Sequence, residues 1–294
     1  MAETEPGALL RVGERGRVGL ADIPPVGRRR TPMRPEVRRR LLNFASFAFL
    51  LVLWLALTGF GVFRPLVDPL FLPSPTSVVA TFLKLMQTGY QGKSLVHHLG
   101  ISLLRFGMAF LFCVVVAVPV GLLMGMRATV QALLDPPIEI SRPIPKLALL
   151  PLLIIWFGIG EVSKVVVIVL AVFPILSISA MQAVKGVAKR KIQAAYSLGA
   201  TDWIVFRRVL LPASLPGIFT GVRVTLGVGV TMLVGAEMIA TSDGIAWMAL
   251  NASEFLLTNV VLVGVGIMAV LGYSLDQLAR YLERRLVHWS GREG

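Results

Sequence analysis

The sequence predicts an all-α, polytopic membrane protein, and three observations carry that prediction. Of 294 residues, 55% are hydrophobic and only 15% charged, against roughly 25% charged in a soluble domain. The mean hydropathy is +0.77. Apolar runs of about 18 or more residues, long enough to cross a bilayer, recur along the chain. So little charge leaves no polar surface for a soluble domain, whatever the size of its core.

Residues 1–40 come first, with "RVGERGRVG" and "RRRTPMRPEVRRR" and little apolar periodicity. They read as a disordered basic cytoplasmic tail, and residues 41–294 as the transmembrane domain. "RRRLLNFASF" mimics a twin-arginine export signal, but the apolar run behind it, 41–62, is too long for a signal core and lacks a clean cleavage site. It is expected to be the first of about six transmembrane helices. The second covers 101–126. The third, 129–158, is polar in its first half ("LLDPPIEISRPIP") and apolar in its second ("LALLPLLIIWFGIG"). The fourth covers 163–184, the fifth 212–240, and the sixth runs from 259 into "ARYLERRLVHW".

The net charge of +13 would suggest nucleic acid in a soluble protein. Here the basic residues lie between apolar runs, where membrane topology accounts for them and nucleic acid is not expected. With the tail inside, the cytoplasmic pieces hold Arg127, Lys185, Lys189, Arg190, Lys191, Arg207, Arg208, Arg280, Arg284, Arg285 and Arg292. The opposite side holds only Arg64, Lys84, Lys93 and Lys164. Both termini and the loop 185–211 are therefore expected in the cytoplasm of a multi-pass cytoplasmic-membrane protein.

That loop contains "AAYSLGATDWIVFRRVLLPASLP". A short helix is expected to halt at Gly199, which accepts the left-handed backbone that ends helices. Thr201 is expected to cap a second helix that Asp202 favours, with Trp203, Phe206 and Leu210 on one face. Pro212 is expected to stop that helix and open the next span. The result would be a bent knob whose Ala194 and Ala195 permit close approach of a partner.

The two alanines, Gly199 four residues after the second, and Leu211-Pro212 resemble the "EAA" loop of bacterial ABC importer permeases. The family motif opens with Glu, and Gln193 stands at that place here, which removes any ionic contact from that position. "RPIPKLALLPLLIIWFGIGEVSK" and "GAEMIATSDGIAWMALNASEFLLTNVVL" are similar to permeases for taurine, aliphatic sulfonates, nitrate and bicarbonate, with "AAYSLGAT" and "HWSG" nearest the taurine group. The resemblance covers roughly residues 65–290. It implies a type I ABC importer permease fold working by alternating access, with Gln193, Ala194, Ala195, Gly199, Ala200, Asp202, Leu211 and Pro212 in the coupling loop. It also implies a second permease copy, two ATP-binding subunits and a periplasmic or extracellular solute-binding protein. The cargo it implies is a small anion, taurine or another sulfonate, with nitrate, bicarbonate or an aromatic carboxylate as alternatives.

The chain carries no ATPase signature. "QTGYQGKS" ends like a phosphate loop but has Gln87 where the pattern needs glycine. ATP and Mg are therefore expected on a separate subunit, with no cofactor or metal on this chain. His97-His98 lacks the further ligands a metal site needs, and the single Cys113 reads as a small buried hydrophobe. Charges at membrane depth are functional candidates. Asp135, Glu139 and Arg142 share a helical face, so Glu139 and Arg142 can pair, while Arg105, Arg223 and Glu237 lie in other spans. Arg142, Arg223, Glu237 and Glu139 are candidates for a substrate pathway; interhelical ion pairs are the alternative. Gly227, Gly229, Gly235, Gly264, Gly266 and Gly272 are expected to permit close helix packing. Pro119, Pro151, Pro174 and "RPIP" suggest kinks. The stretch "TSDGIAWMALNASEFLLTN" is expected to form a short helix over the outer mouth, with Asn251 and Glu254 near the binding protein.

Two other classes fit less well. An ion-coupled carrier predicts inverted repeats, and none is clear. An intramembrane enzyme needs a catalytic constellation that three histidines, two of them adjacent, do not supply.

Overall fold

The computed structural model describes residues 35–59, 65–239 and 241–289. Most of the expected basic tail, Arg64 and Arg292 lie outside the described residues. Contacts divide the chain into two compact units, Met1–Val52 and Leu53–Gly294. Helix α1 (Pro35–Leu57) begins in the first, inside the segment expected as tail; its starting proline suits a first helical turn, where no N–H is needed. Its side chains Leu41, Phe44, Phe47 and Leu50 are exposed.

The second unit is helical among its described residues. It continues with α2 (Pro75–Thr88), α3 (Leu95–Met126), α4 (Ala128–Ser141), a 3-10 turn (Lys146–Leu149) and α5 (Leu150–Phe157). Then come α6 (Glu161–Lys185), α7 (Lys189–Ser197), α8 (Asp202–Val205), a π turn (Phe206–Leu210), α9 (Leu211–Glu237), α10 (Ile245–Glu254) and α11 (Thr258–Leu286). Ser74 and Ser94 cap α2 and α3, their hydroxyls accepting the Ser77 and His97 N–H groups.

Among the described residues four helices are long and apolar enough to cross a membrane: α3, α6, α11, and the run Asp202–Glu237 that ends as α9. The expected third span is not one helix. Ala128–Ser141 and Lys146–Phe157 meet at 87°. Pro143 and Pro145 explain the bend: each removes a helical donor, and although Arg142 keeps α-region angles, the chain is extended by Pro145 (ψ 103°). Counting the bent pair as one span gives five among the described residues, against the six expected, and the apolar part of α1, Phe44–Leu57, is shorter than a full span. By contrast α3 and α6 run on through Pro119 and Pro174.

Helix α6 packs on both α3 and α9. The fit is made by small residues. On α3 the buried Ala109, Cys113, Ala117 and Gly121 recur every fourth position, one stripe along the helix. A Cβ on Gly121 would stand 2.2 Å from the Ser177 carbonyl oxygen, and one on Gly221 of α9 would stand 2.4 Å from the Ser179 Cβ. Of the six glycines expected to pack closely, Gly229, Gly235 and Gly264 do so, against Phe106, Leu147 and Ala249. Gly227 and Gly266 face open space and Gly272 has only ordinary contact, because glycine by itself says nothing about which side of the helix it is on. Gly121→Ala is therefore expected to cost about 1–3 kcal/mol through overpacking against backbone. Gly227→Ala should be neutral or stabilising by up to about 1 kcal/mol. Thermal unfolding of the two variants in detergent checks the contrast, and equal midpoints would refute it.

Candidate functional site

Two places on this scaffold concentrate unusual chemistry, one at each end of the bundle. At the first, α7 ends in a Schellman turn. The Gly199 N–H bonds the Tyr196 carbonyl (2.9 Å) and the Ala200 N–H bonds the Ala195 carbonyl (3.1 Å). Gly199 has φ +79°, the left-handed region, as expected. Thr201 occupies the N-cap position of α8, but its hydroxyl makes no cap bond. The tie across the corner is different: Tyr196 Oη donates to Asp202 Oδ1 at 3.0 Å, which raises the Tyr196 pKa.

Pro212 does not stop the second helix. Asp202–Glu237 is one continuous run, and a π turn at Phe206–Leu210 precedes the proline. Pro212 lacks an N–H and its ring crowds the carbonyl four residues back, so the wider turn accommodates it without a break. The Trp203 and Phe206 rings meet at 5.6 Å. With Leu211 they line a groove of about 560 Å³ whose other wall includes Pro119, Leu122 and Met126 of α3.

Of the residues expected in the coupling loop, Gln193, Ala194, Gly199 and Asp202 are exposed. Ala195 and Ala200 are half-buried on the knob, and Leu211 and Pro212 half-buried at its base. Sequence reasoning passed over Leu198, an apolar side chain 88% exposed at the corner. Its place between the alanines and the glycine was the available signal.

At the other end Arg105 is buried and holds three elements together. Its guanidinium donates to both Glu161 carboxylate oxygens (2.5 and 2.8 Å), to Glu237 Oε1 (3.0 Å) and to Asp243 Oδ1 (2.6 Å). It also reaches the Asp243 carbonyl and Thr241 Oγ1. Lys93 pairs with Asp243 at 3.0 Å and Lys164 with Glu161 at 3.2 Å. Three cations thus face three carboxylates. Burial raises the Asp243 pKa, but hydrogen bonds from Lys93 and Arg105 outweigh it and hold the carboxyl below its ordinary range. The stabilisation from this depressed pKa is present above the unfolded value and fades only as pH falls through the lower folded one.

The same cluster caps α10. The first helical N–H groups have no partners inside their own helix. Here the Gly244 N–H bonds His98 Nδ1 (3.2 Å), the Ile245 N–H bonds Ser102 Oγ (3.0 Å) and the Ala246 N–H bonds Glu237 Oε2 (3.1 Å). His98 Nδ1 is therefore the acceptor, so Nε2 carries the proton toward the Tyr90 carbonyl at 3.3 Å. Gly244 has φ +113°, and a Cβ there would sit 2.4 Å from the Glu237 carboxyl. Only glycine fits.

Lys93, the lysine of the false phosphate loop, is thus engaged by Asp243, and Cys113 is buried and free. Among the described residues no three His, Cys, Asp or Glu groups are placed to hold a metal. The candidate pathway residues do not converge. Arg142 pairs with Glu139 at 3.1 Å on the exposed face of α4, the pair the sequence suggested. Arg223 pairs with Asp276 (3.1 Å) and lies 3.8 Å from Glu283. It sits 14 positions before Glu237 on α9, about 21 Å along the axis at 1.5 Å per residue. Only Glu237 joins the Arg105 cluster.

Comparison with known proteins places this geometry. Residues 117–288 match the family model described as binding-protein-dependent transport system inner membrane component. The chain is 43% identical to the taurine transport system permease protein of Escherichia coli strain K12 over 258 residues, 87% of this chain and 92% of that one. It is 35% identical to the putative aliphatic sulfonates transport permease protein of Bacillus subtilis strain 168, covering 82% of this chain and 85% of the relative. Among solved structures, an inward-facing methionine ABC transporter superposes with a TM-score of 0.52 at 21% identity, covering 64% of this chain and 95% of that one. An amino acid ABC transporter superposes at 0.54 and 18% identity, covering 70% and 96%.

Proposed function

We infer the task of this protein from one premise: the chain belongs to the family of binding-protein-dependent transport system inner membrane components. It is a multi-pass permease subunit of an ABC importer, a transport component of the inner membrane rather than an enzyme. The cargo we propose is taurine or a closely related small sulfonate. The observation that carries this reading is the 43% identity to a taurine permease across nearly the whole length of both chains.

Two copies of the permease would form the path, two ATP-binding subunits would dock on α7 and supply the energy with ATP and Mg, and a solute-binding protein would deliver cargo at the α10 end. The exposed Gln193, Ala194 and Leu198 support the docking surface, because apolar and small groups left bare outside the membrane spans suit contact with another protein. Both termini would be cytoplasmic. At the α7 end Arg127, Lys189, Arg190, Arg207 and Arg208 are exposed, whereas at the α10 end Lys93 and Lys164 are matched by carboxylates, so the positive bias lies on the α7 side.

Uptake of radiolabelled taurine into proteoliposomes holding the permease, the ATP-binding subunits and the binding protein is expected to require enclosed ATP. Equal uptake without ATP would sink the importer reading. ATP-driven uptake of nitrate with none of taurine would leave the machinery and overturn the cargo.

A further inference from the structure

A cavity of about 340 Å³ opens between α9 and the last turns of α11, lined by Arg223, Arg280, Glu283, Arg284, Val287 and His288. Among the described residues its charges do not balance. Arg223 and Arg280 share Asp276, at 3.1 and 2.8 Å, and Glu283 lies 3.8 Å from Arg223. Among the described residues Arg284 has no carboxylate within ion-pair distance, and the terminal nitrogens of Arg280 make no hydrogen bond. Three guanidinium groups therefore face two carboxylates, with His288 adding charge when protonated. The planar forks of Arg280 and Arg284 present unused donors in the geometry that phosphate oxygens accept.

The depth of this pocket in the bilayer follows from α11 itself. On the side of the helix turned away from the cavity, Leu278, Leu282 and Leu286 recur every fourth position and are 53%, 42% and 56% exposed. Tyr281 is exposed nearby, and the Trp289 indole is anchored by donating to the Pro212 carbonyl at 3.2 Å. Leucines still bare to the surroundings, beside aromatic rings with a polar tip, mark the level where hydrocarbon meets headgroup. A surplus of arginine at that level faces the phosphate layer.

We propose that this pocket binds the phosphate group of an anionic membrane phospholipid, with Arg284 and Arg280 as donors. A soluble phosphate compound offers the same chemistry, so the test separates the two sources. The permease is purified with its ATP-binding subunits, incubated with phosphatidylglycerol or phosphatidylcholine, and the lipid retained per chain is read by native mass spectrometry. The wild type is expected to retain phosphatidylglycerol over phosphatidylcholine. Arg284→Gln, which breaks no ion pair among the described residues, should lower that retention about fivefold, the equivalent of about 1 kcal/mol for one cation at the membrane surface. Arg285→Gln removes the same charge next door, but its guanidinium lies over the Tyr281 ring (5.4 Å) and outside the cavity, so retention should not change. Equal retention in wild type and Arg284→Gln overturns the proposal, and so does an equal loss in Arg285→Gln, which would indicate diffuse attraction. Calorimetric binding of inorganic phosphate to delipidated complex, abolished in Arg284→Gln while phosphatidylglycerol fails to bind, would assign the pocket to a soluble anion and overturn the lipid.

Discussion

Arg105→Ala is expected to destabilise the permease by about 3–5 kcal/mol, the range for removing one partner of a buried ion pair. The cost comes from what remains. Glu237 is fully buried beside the vacated space and its Oε1 would keep only the Ser102 hydroxyl, while Glu161 and Asp243 would face it without their shared cation. The substitution should also loosen the start of α10, because Glu237 Oε2 holds the Ala246 N–H. Thermal unfolding in detergent reads the loss. The double variant Arg105→Met, Glu237→Met separates charge from packing, since replacing a buried pair with apolar groups of similar volume is often neutral. It should recover at least half of the lost stability. A single variant that melts with the wild type would show that the cluster does not hold these helices together.

Ala194→Trp is expected to reduce ATP-driven uptake more than about tenfold while leaving the permease as stable as wild type, since substitutions at exposed positions usually stay within about 0.5 kcal/mol. Ala194 is exposed on α7, so the indole meets nothing in this chain. A bulky group on a close-packed docking surface would separate the partners. The paired readouts are uptake in proteoliposomes and the unfolding midpoint of the isolated permease. Unchanged uptake would remove this face of α7 from energy coupling.

What was readable in the sequence was whatever is local. Apolar runs give the long helices, Gly199 gives the turn after α7, and the i, i+3 pair of Glu139 and Arg142 forms as spaced. The bend after α4 lay in "RPIP", but its consequence, two helices at 87° in place of one span, depends on how the following segment packs. The Arg105 cluster was hidden for a clear reason. Arg105 meets Glu161 at a separation of 56 residues, and Glu237 and Asp243 at 132 and 138. No periodicity reaches that far. His98 reads in the sequence as half of the incomplete metal pair His97-His98 and Ser102 carries no signal, and only the folded chain shows them capping a helix nearly 150 positions away. Pro212 was misread because a proline stops an ideal α-helix, whereas a π turn lets the chain pass it.

That passage has a mechanical consequence. Because Asp202–Glu237 is one 36-residue helix, the α7–α8 knob and the Arg105 cluster lie at opposite ends of a single rod about 54 Å long at 1.5 Å per residue. A rod converts angle into distance. A tilt of about 5° imposed at Asp202 would carry Glu237 sideways by about 5 Å, more than the span of any hydrogen bond it makes. The π turn sits near the Asp202 end of the shaft, and Pro216 further along interrupts its backbone bonding. If an ATP-binding subunit docks on α7 as we propose, its push needs no relay of side chains to reach the far rim: leverage alone would part Glu237 from Arg105.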